Sequence, residues 1–310
     1  MIKLGFGKEY VEVDIPEKNL LAVLQPNELE VALRGEQEVI RALSEPIGTP
    51  RLRDIVKKGE KIAVVTSDIT RPMPSSVVLP PLLEEMQAAG VSLEDVTVVL
   101  ALGSHRFHTE EEKRYLVGDE VFDKVRVIDG DPSNCVHLGV TKMGTPVDIV
   151  AQVANADRIV CLGNIEYHYF AGYSGGAKAI MPGVSTREAI QSNHSRMVLP
   201  EAKAGALEGN PVREDIESVT DFLTIDFILN VVLDEKKTII RAEAGHHVQA
   251  HRAACAFLDS LYKVKIPRRA DIVVVSPGGY PKDLNMYQAQ KALDNARHAV
   301  RDGGIIVWLA

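Results

Sequence analysis

The stretch "DRIVCLGNIEYHYFAGYSGGAK", residues 157–178, opens with an unbroken apolar run and passes straight into a loop crowded with polar and glycine residues. A strand that showed one face to water would alternate apolar with polar side chains. This run does not alternate, so it reads as a strand buried on both faces, the habit of parallel sheets covered by helices on each side. The same pattern recurs in "KIAVVTSD" (61–68), "DVTVVLALGS" (95–104), "KVRVIDGD" (124–131), "IDFILNVVLD" (225–234) and "ADIVVVSPGG" (270–279). Helix-length segments lie between these runs. "SSVVLPPLLEEMQAAG" is capped by Ser75 or Ser76, "TEEEKRYLVG" opens at Thr109 with a capping-box pattern, and "STREAIQSNHSRM" opens at Ser185 or Thr186. The fold class expected is two-domain α/β, with largely parallel sheets and flanking helices.

The helical segment "HHVQAHRAACAFLDSLYKVKI" runs into "PRRA", and a new strand follows. The expected division is therefore a cofactor-binding α/β domain over 1–266 and the start of a second α/β domain over 267–310. A single strand–helix–strand unit does not cover both faces of its own sheet, so this second domain reads as cut short.

Composition narrows the function classes. The chain has 310 residues, is 45% hydrophobic and carries a formal net charge of -8, which argues against a nucleic-acid partner held through phosphates and for a small-molecule substrate. Three cysteines without a C-x-x-C fit neither a disulfide framework nor a zinc ribbon. No apolar run reaches membrane-spanning length and the N-terminus has no signal-peptide core. The expectation is a cytoplasmic protein with no membrane partner.

In such folds ligands gather at the carboxyl ends of strands, and the unusual residues fall there. "GYSGGAK" resembles a phosphate loop, but Ala177 and Ala179 replace the Gly and Ser/Thr that flank the lysine in the Mg-nucleotide pattern. Ser174, Gly175 and Gly176 then either bring backbone amides to an anionic cofactor or form a tight turn bearing a surface lysine. A partly desolvated Lys178 would have a lowered pKa and act as a nucleophile toward a cofactor. His105 and His168 stand at or near the same strand ends and His194 on the helical segment "STREAIQSNHSRM", all at or near ligand-facing positions, each either a satisfied polar residue, a catalyst or a metal ligand. His247 and His251 share helical i, i+4 spacing but lack the glutamate of a zinc-protease helix, and read as a solvated helix start. Asp68 and Arg71 lie in "SDITRPMP", where a guanidinium suits bidentate capture of a carboxylate; Tyr287, Gln288 and Lys291 lie on one later helical segment.

Together "SDITRPMP", "GSHRFHTEE", "HYFAGYSGGAKAIMPG" with "SNH", and "SPGGYPKDLNMYQAQK" resemble the nickel-pincer lactate racemase family, from about residue 61 to the last helix. The resemblance implies an isomerase, a racemase or epimerase of a 2-hydroxy acid. It implies nickel(II) in a pyridinium mononucleotide joined through a thioamide to Lys178, with His194 as the protein's metal ligand and Asp68 near the cofactor. It implies His105 and His168 as the acid/base pair, Arg71 and Lys291 on the substrate carboxylate, Tyr287 and Gln288 lining the pocket, and maturation proteins that supply the cofactor. Two other readings compete: a metal-assisted hydrolase ligating metal directly with the three histidines, and a non-enzymatic cofactor carrier.

Overall fold

The computed structural model describes residues 1–310, apart from the side chain of Tyr287. The chain divides into two units, Leu29–Ser260 and a second made of Met1–Glu28 together with Leu261–Ala310. In chain order the strands are β1 (Ile2–Phe6), β2 (Glu9–Val13), β3 (Ile62–Ser67), β4 (Val96–Ala101), β5 (Arg126–Asp129), β6 (Cys135–Val140), β7 (Pro146–Val150), β8 (Arg158–Asn164), β9 (Tyr167–His168), β10 (Gly172–Tyr173), β11 (Phe227–Leu233), β12 (Ile239–Gly245), β13 (Ala270–Val275) and β14 (Val300–Trp308). The helices are α1 (Glu36–Ser44), α2 (Leu52–Ile55), α3 (Ser75–Ala88), α4 (Glu110–Val117), α5 (Asp119–Lys124), α6 (Ala151–Ala154), α7 (Arg187–His194), α8 (Pro211–Glu217), α9 (Gln249–Tyr262) and α10 (Met286–Ala296).

The larger unit is built on a six-stranded sheet in the order β12-β11-β8-β3-β4-β5. Every neighbouring pair is parallel except β11 with β12. That exception has a local cause: the Asp234–Thr238 turn is too short for a crossover, and only an antiparallel partner is reachable through it. The apolar runs are continuous because successive side chains enter two different cores. Ile62, Val64, Val98, Leu100, Val160 and Leu162 face α1–α3 in one core. Ala63, Val65, Val99, Ile159 and Cys161 face the other, with Ile180, Val184, Val212 and Ile216. Thr109 caps α4 through the expected reciprocal bonds with Glu112, and Thr186 caps α7. Pro74, rather than Ser75 or Ser76, stands at the start of α3.

The smaller unit has the expected parallel pair β13–β14 joined through α10, and beside it the antiparallel hairpin β1–β2. The sequence reading cut the chain once, after residue 266; the packing returns the first 28 residues to the far end of the chain. The contact is made by glycines. A Cβ on Gly5 would fall 2.6 Å from the Gly278 carbonyl carbon, and one on Gly279 would fall 2.7 Å from the Gly7 oxygen. The Tyr280 N–H donates to Gly7 O at 2.7 Å, and the Gly7 N–H to Asp283 at 2.5 Å. Among the described residues no helix is long and apolar enough to cross a membrane, and the three cysteines are free.

Candidate active site

Three loops leave the carboxyl ends of the adjacent parallel strands β8, β3 and β4 and hold most of the candidate residues. The loop after β3 holds Asp68, almost wholly buried, whose carboxylate accepts from the Thr70 hydroxyl at 2.8 Å. The other carboxylate oxygen lies 2.6 Å from Nδ1 of His105, on the loop after β4. A carboxylate accepts, so Nδ1 of the neutral imidazole carries the proton and Nε2 keeps a lone pair. His105 itself is half-exposed, with a side chain 45% accessible, so that nitrogen is open to a ligand.

After β8 the chain folds back as the small hairpin β9–β10, with His168 paired to Gly172. Tyr167 and Tyr173 both donate to one carboxylate oxygen of Asp259 at 2.7 Å, and buried Arg213 donates to Ala171 O at 3.1 Å and to Tyr173 O, so the hairpin is pinned on two sides. The Ala171 N–H donates to His168 Nδ1 at 3.3 Å, which puts the proton of neutral His168 on Nε2, the opposite tautomer from His105. Burial first, then the positive charges of Lys178, Arg71 and Arg213, hold this imidazole well below its ordinary range.

The glycine loop follows at once. Gly175 and Gly176 have φ of 76° and 61°, and a Cβ would meet Ile165 at 2.4 Å in the first case and the His251 ring at 2.9 Å in the second. Glycine is required there. The Gly176 amide donates to buried Asn230 Oδ1 at 3.0 Å, the Ser174 hydroxyl donates to Asn164 O at 2.6 Å, and His251 Nε2 donates to Ser174 O at 2.8 Å. These groups serve the shape of the loop in this structure. The loop delivers Lys178 into a desolvated position, where burial, reinforced by Arg71 and Arg213, pushes its pKa down to about 7. Near neutrality a large fraction of this amine is unprotonated and nucleophilic.

His194 ends α7. Its Nδ1 lies 3.0 Å from Asn193 Oδ1, while the Asn193 amide donates to Val212 O and to buried Asp215 at 2.8 Å. The amide orientation makes Oδ1 the acceptor, so His194 also carries its proton on Nδ1 and offers Nε2 as a lone pair. Burial, then the charge of Lys178, push its pKa down to about 4, so at neutral pH it is an uncharged imidazole able to ligate a metal. The Phe170 ring stands edge-on to both His168 and His194, with centroids 4.5 and 4.8 Å away.

The lactate racemase N-terminal domain matches residues 6–205, and the lactate racemase C-terminal domain matches residues 265–310. The chain belongs to the lactate racemase family. The lactate racemase of Thermoanaerobacterium thermosaccharolyticum is 36% identical to it over 316 residues, and that of Lactiplantibacillus plantarum is 32% identical over 316 residues. Each alignment covers 100% of this chain and 74% of the relative, so the chain spans about three quarters of their length. The structure of the lactate racemase apoprotein from T. thermosaccharolyticum superposes with a TM-score of 0.87 at 35% identity, covering 98% of this chain and 73% of that one. A protein from Thermotoga maritima, at 23% identity with a TM-score of 0.63 over 79% of this chain and 64% of its own, shares the fold.

Within this lactate racemase scaffold, Asp68, Arg71, His105, His168, Lys178 and His194 all lie in the larger unit, and the charge of Arg71 reaches both Lys178 and His168. Gln288 and Lys291 stand on α10 of the smaller unit, where Lys291 Nζ donates to Gln288 Oε1 at 2.8 Å; the side chain of Tyr287 lies outside the described residues. Among the described residues no three His, Cys, Asp or Glu side chains form a group that could hold a metal ion. His251 is a correction: expected at a solvated helix start, it is 1% exposed beneath the glycine loop. Asn230, Arg213 and Asp215 were not singled out from sequence. For Asn230 a signal existed, since it is the one polar residue of β11, "FILNVVL".

Proposed function

We propose that this chain racemises or epimerises a lactate-like 2-hydroxy acid with a nickel-pincer pyridinium mononucleotide linked to Lys178. The observation that carries this reading is Lys178 itself, desolvated with its pKa at about 7 in a loop whose glycines admit no substitute. The donor set suits the group: Lys178 is an amine poised for a covalent bond, and His194 is a neutral imidazole with Nε2 unprotonated that would serve as a nickel ligand. When bound, the cofactor supplies a ring carbon that takes up and returns the C2 hydrogen with its electron pair.

The protein's own part is to move the hydroxyl proton and hold the acid still. His105, its Nδ1–H fixed on Asp68, takes the hydroxyl proton on Nε2 and gives it back. His168 would serve the mirror-image substrate; to take that proton on Nε2 its ring would first shift its own proton to Nδ1 and give up the bond from the Ala171 N–H. Arg71 holds the carboxylate through a two-pronged contact that a lysine does not reproduce. The family resemblance assigns substrate-binding roles to Lys291, Gln288 and Tyr287 as well. Maturation proteins that build the cofactor and a cytoplasmic setting belong to the same reading.

The test is peptide mapping of protein produced in a nickel-supplied host that makes the cofactor. The adduct is expected on the peptide containing Lys178 and absent from Lys178→Ala. An adduct on another lysine, or nickel held normally by the alanine variant, would overturn the assignment.

A further inference from the structure

The motif "HRFH", residues 105–108, contains a second histidine that the chemistry above leaves unused. His108 is 8% exposed. Its Nδ1 lies 2.5 Å from one carboxylate oxygen of Asp129, the last residue of β5, and its backbone N–H donates to the other at 3.0 Å. Its remaining ring nitrogen, Nε2, accepts from the backbone N–H of Ile69 at 3.2 Å. A nitrogen that accepts from an amide carries no proton, so the geometry selects the neutral ring with its proton on Nδ1, donated to Asp129. Lys113 Nζ lies 3.9 Å from the Asp129 carboxylate.

Ile69 directly follows Asp68. Residues 105 and 108 therefore grip consecutive residues of the facing loop, His105 through the Asp68 carboxylate and His108 through the Ile69 amide. Within the loop the Arg71 N–H donates to Asp68 O at 3.1 Å and the Thr70 hydroxyl to the Asp68 carboxylate, but Ile69, Thr70 and Arg71 are exposed and bury little apolar surface. His108 thus uses its second ring nitrogen on the backbone directly after Asp68.

We propose that His108 is a positioning residue which, backed by Asp129, fixes Ile69 and thereby sets the Asp68 carboxylate for the reaction. The inference rests on the roles given above to Asp68 and His105. Because it acts through that loop, its effect vanishes when Asp68 is gone.

The experiment has two arms. In the apoprotein labelled with 15N-histidine, His108 should show the Nδ1–H tautomer at neutral pH; an Nε2–H tautomer or an imidazolium overturns the link. In cofactor-loaded enzyme, His108→Leu should lower kcat/KM by roughly tenfold to a hundredfold, the cost of a misplaced catalytic group. His108→Gln, which keeps one donor and one acceptor, should recover most of that loss, and the pair Asp68→Ala with His108→Leu should be hardly worse than Asp68→Ala alone. Additive losses refute positioning while leaving Asp68 and His105 in place. Near-normal turnover in Asp68→Ala instead removes the reading on which the inference rests. Should the leucine variant not fold, the tautomer and the glutamine variant still decide.

Discussion

At the scale of the residue, Lys178 stands well away from its ordinary behaviour. The folded protein holds its pKa near 7, against 10.5 when free, so between those values the unfolded chain binds more protons at this site than the native one. Stability contributed by this site therefore rises as pH increases from about 7 toward 10.5, by up to about 1.4 kcal/mol per pH unit, and it is lowest below 7, where the folded protein must bury the charge. Lys178→Met removes that dependence. Denaturant unfolding of the apoprotein should show the methionine variant more stable than the parent at pH 6, with the gap narrowing steadily by pH 9. A gap independent of pH would mean that the amine is solvated. Sequence displayed the lysine and its small neighbours but not the two arginine charges that help depress it, because Arg71 and Arg213 come from positions 107 residues before and 35 after in the chain.

At the scale of the element, the glycine loop is shaped by what lies beneath it. Gly176→Ala forces a side chain into the left-handed region and against the His251 ring, so the apoprotein should lose about 1–3 kcal/mol in urea unfolding. Gly144→Ala, with φ of 85° but nothing within 4 Å of its Cβ, separates the two causes: it carries the backbone strain without the collision. Equal losses in both variants would show that the ring yields. The capping box at Thr109 and the cap at Thr186 were readable from sequence because each is made by residues three apart. The supports of the loop were not, because Asn230 and His251 lie 54 and 77 residues from the groups they hold.

At the scale of the whole molecule, turnover distinguishes two fates for the C2 hydrogen. If His105 and His168 handled it as a proton, it would exchange with solvent, and lactate racemised in D2O would gain deuterium at C2. In the function proposed here the histidines carry only the hydroxyl proton. Both enantiomers formed from unlabelled substrate should then keep protium at C2, and 2-deuterated substrate should react more slowly. His105→Ala and His168→Ala should each lower kcat by about 10²–10⁴ while nickel stays bound. Deuterium at C2, read by NMR or mass spectrometry of the product, would end the proposal. Sequence by itself determined the buried parallel strands β3, β4, β8 and β11, the starts of α4 and α7 and the loops that carry Asp68, His105, His168 and Lys178, because apolar runs, caps and glycine turns are local instructions. β5 and β13, expected to be buried on both faces, have no buried residue, and α3 starts at Pro74 rather than Ser75 or Ser76. Tertiary structure alone decided that the first 28 residues pair with the end of the chain, that β12 closes the sheet antiparallel, and which nitrogen of each histidine holds its proton. Those outcomes depend on hydrogen-bond partners and close approaches between residues far apart in the chain, and no spacing along a single sequence encodes them.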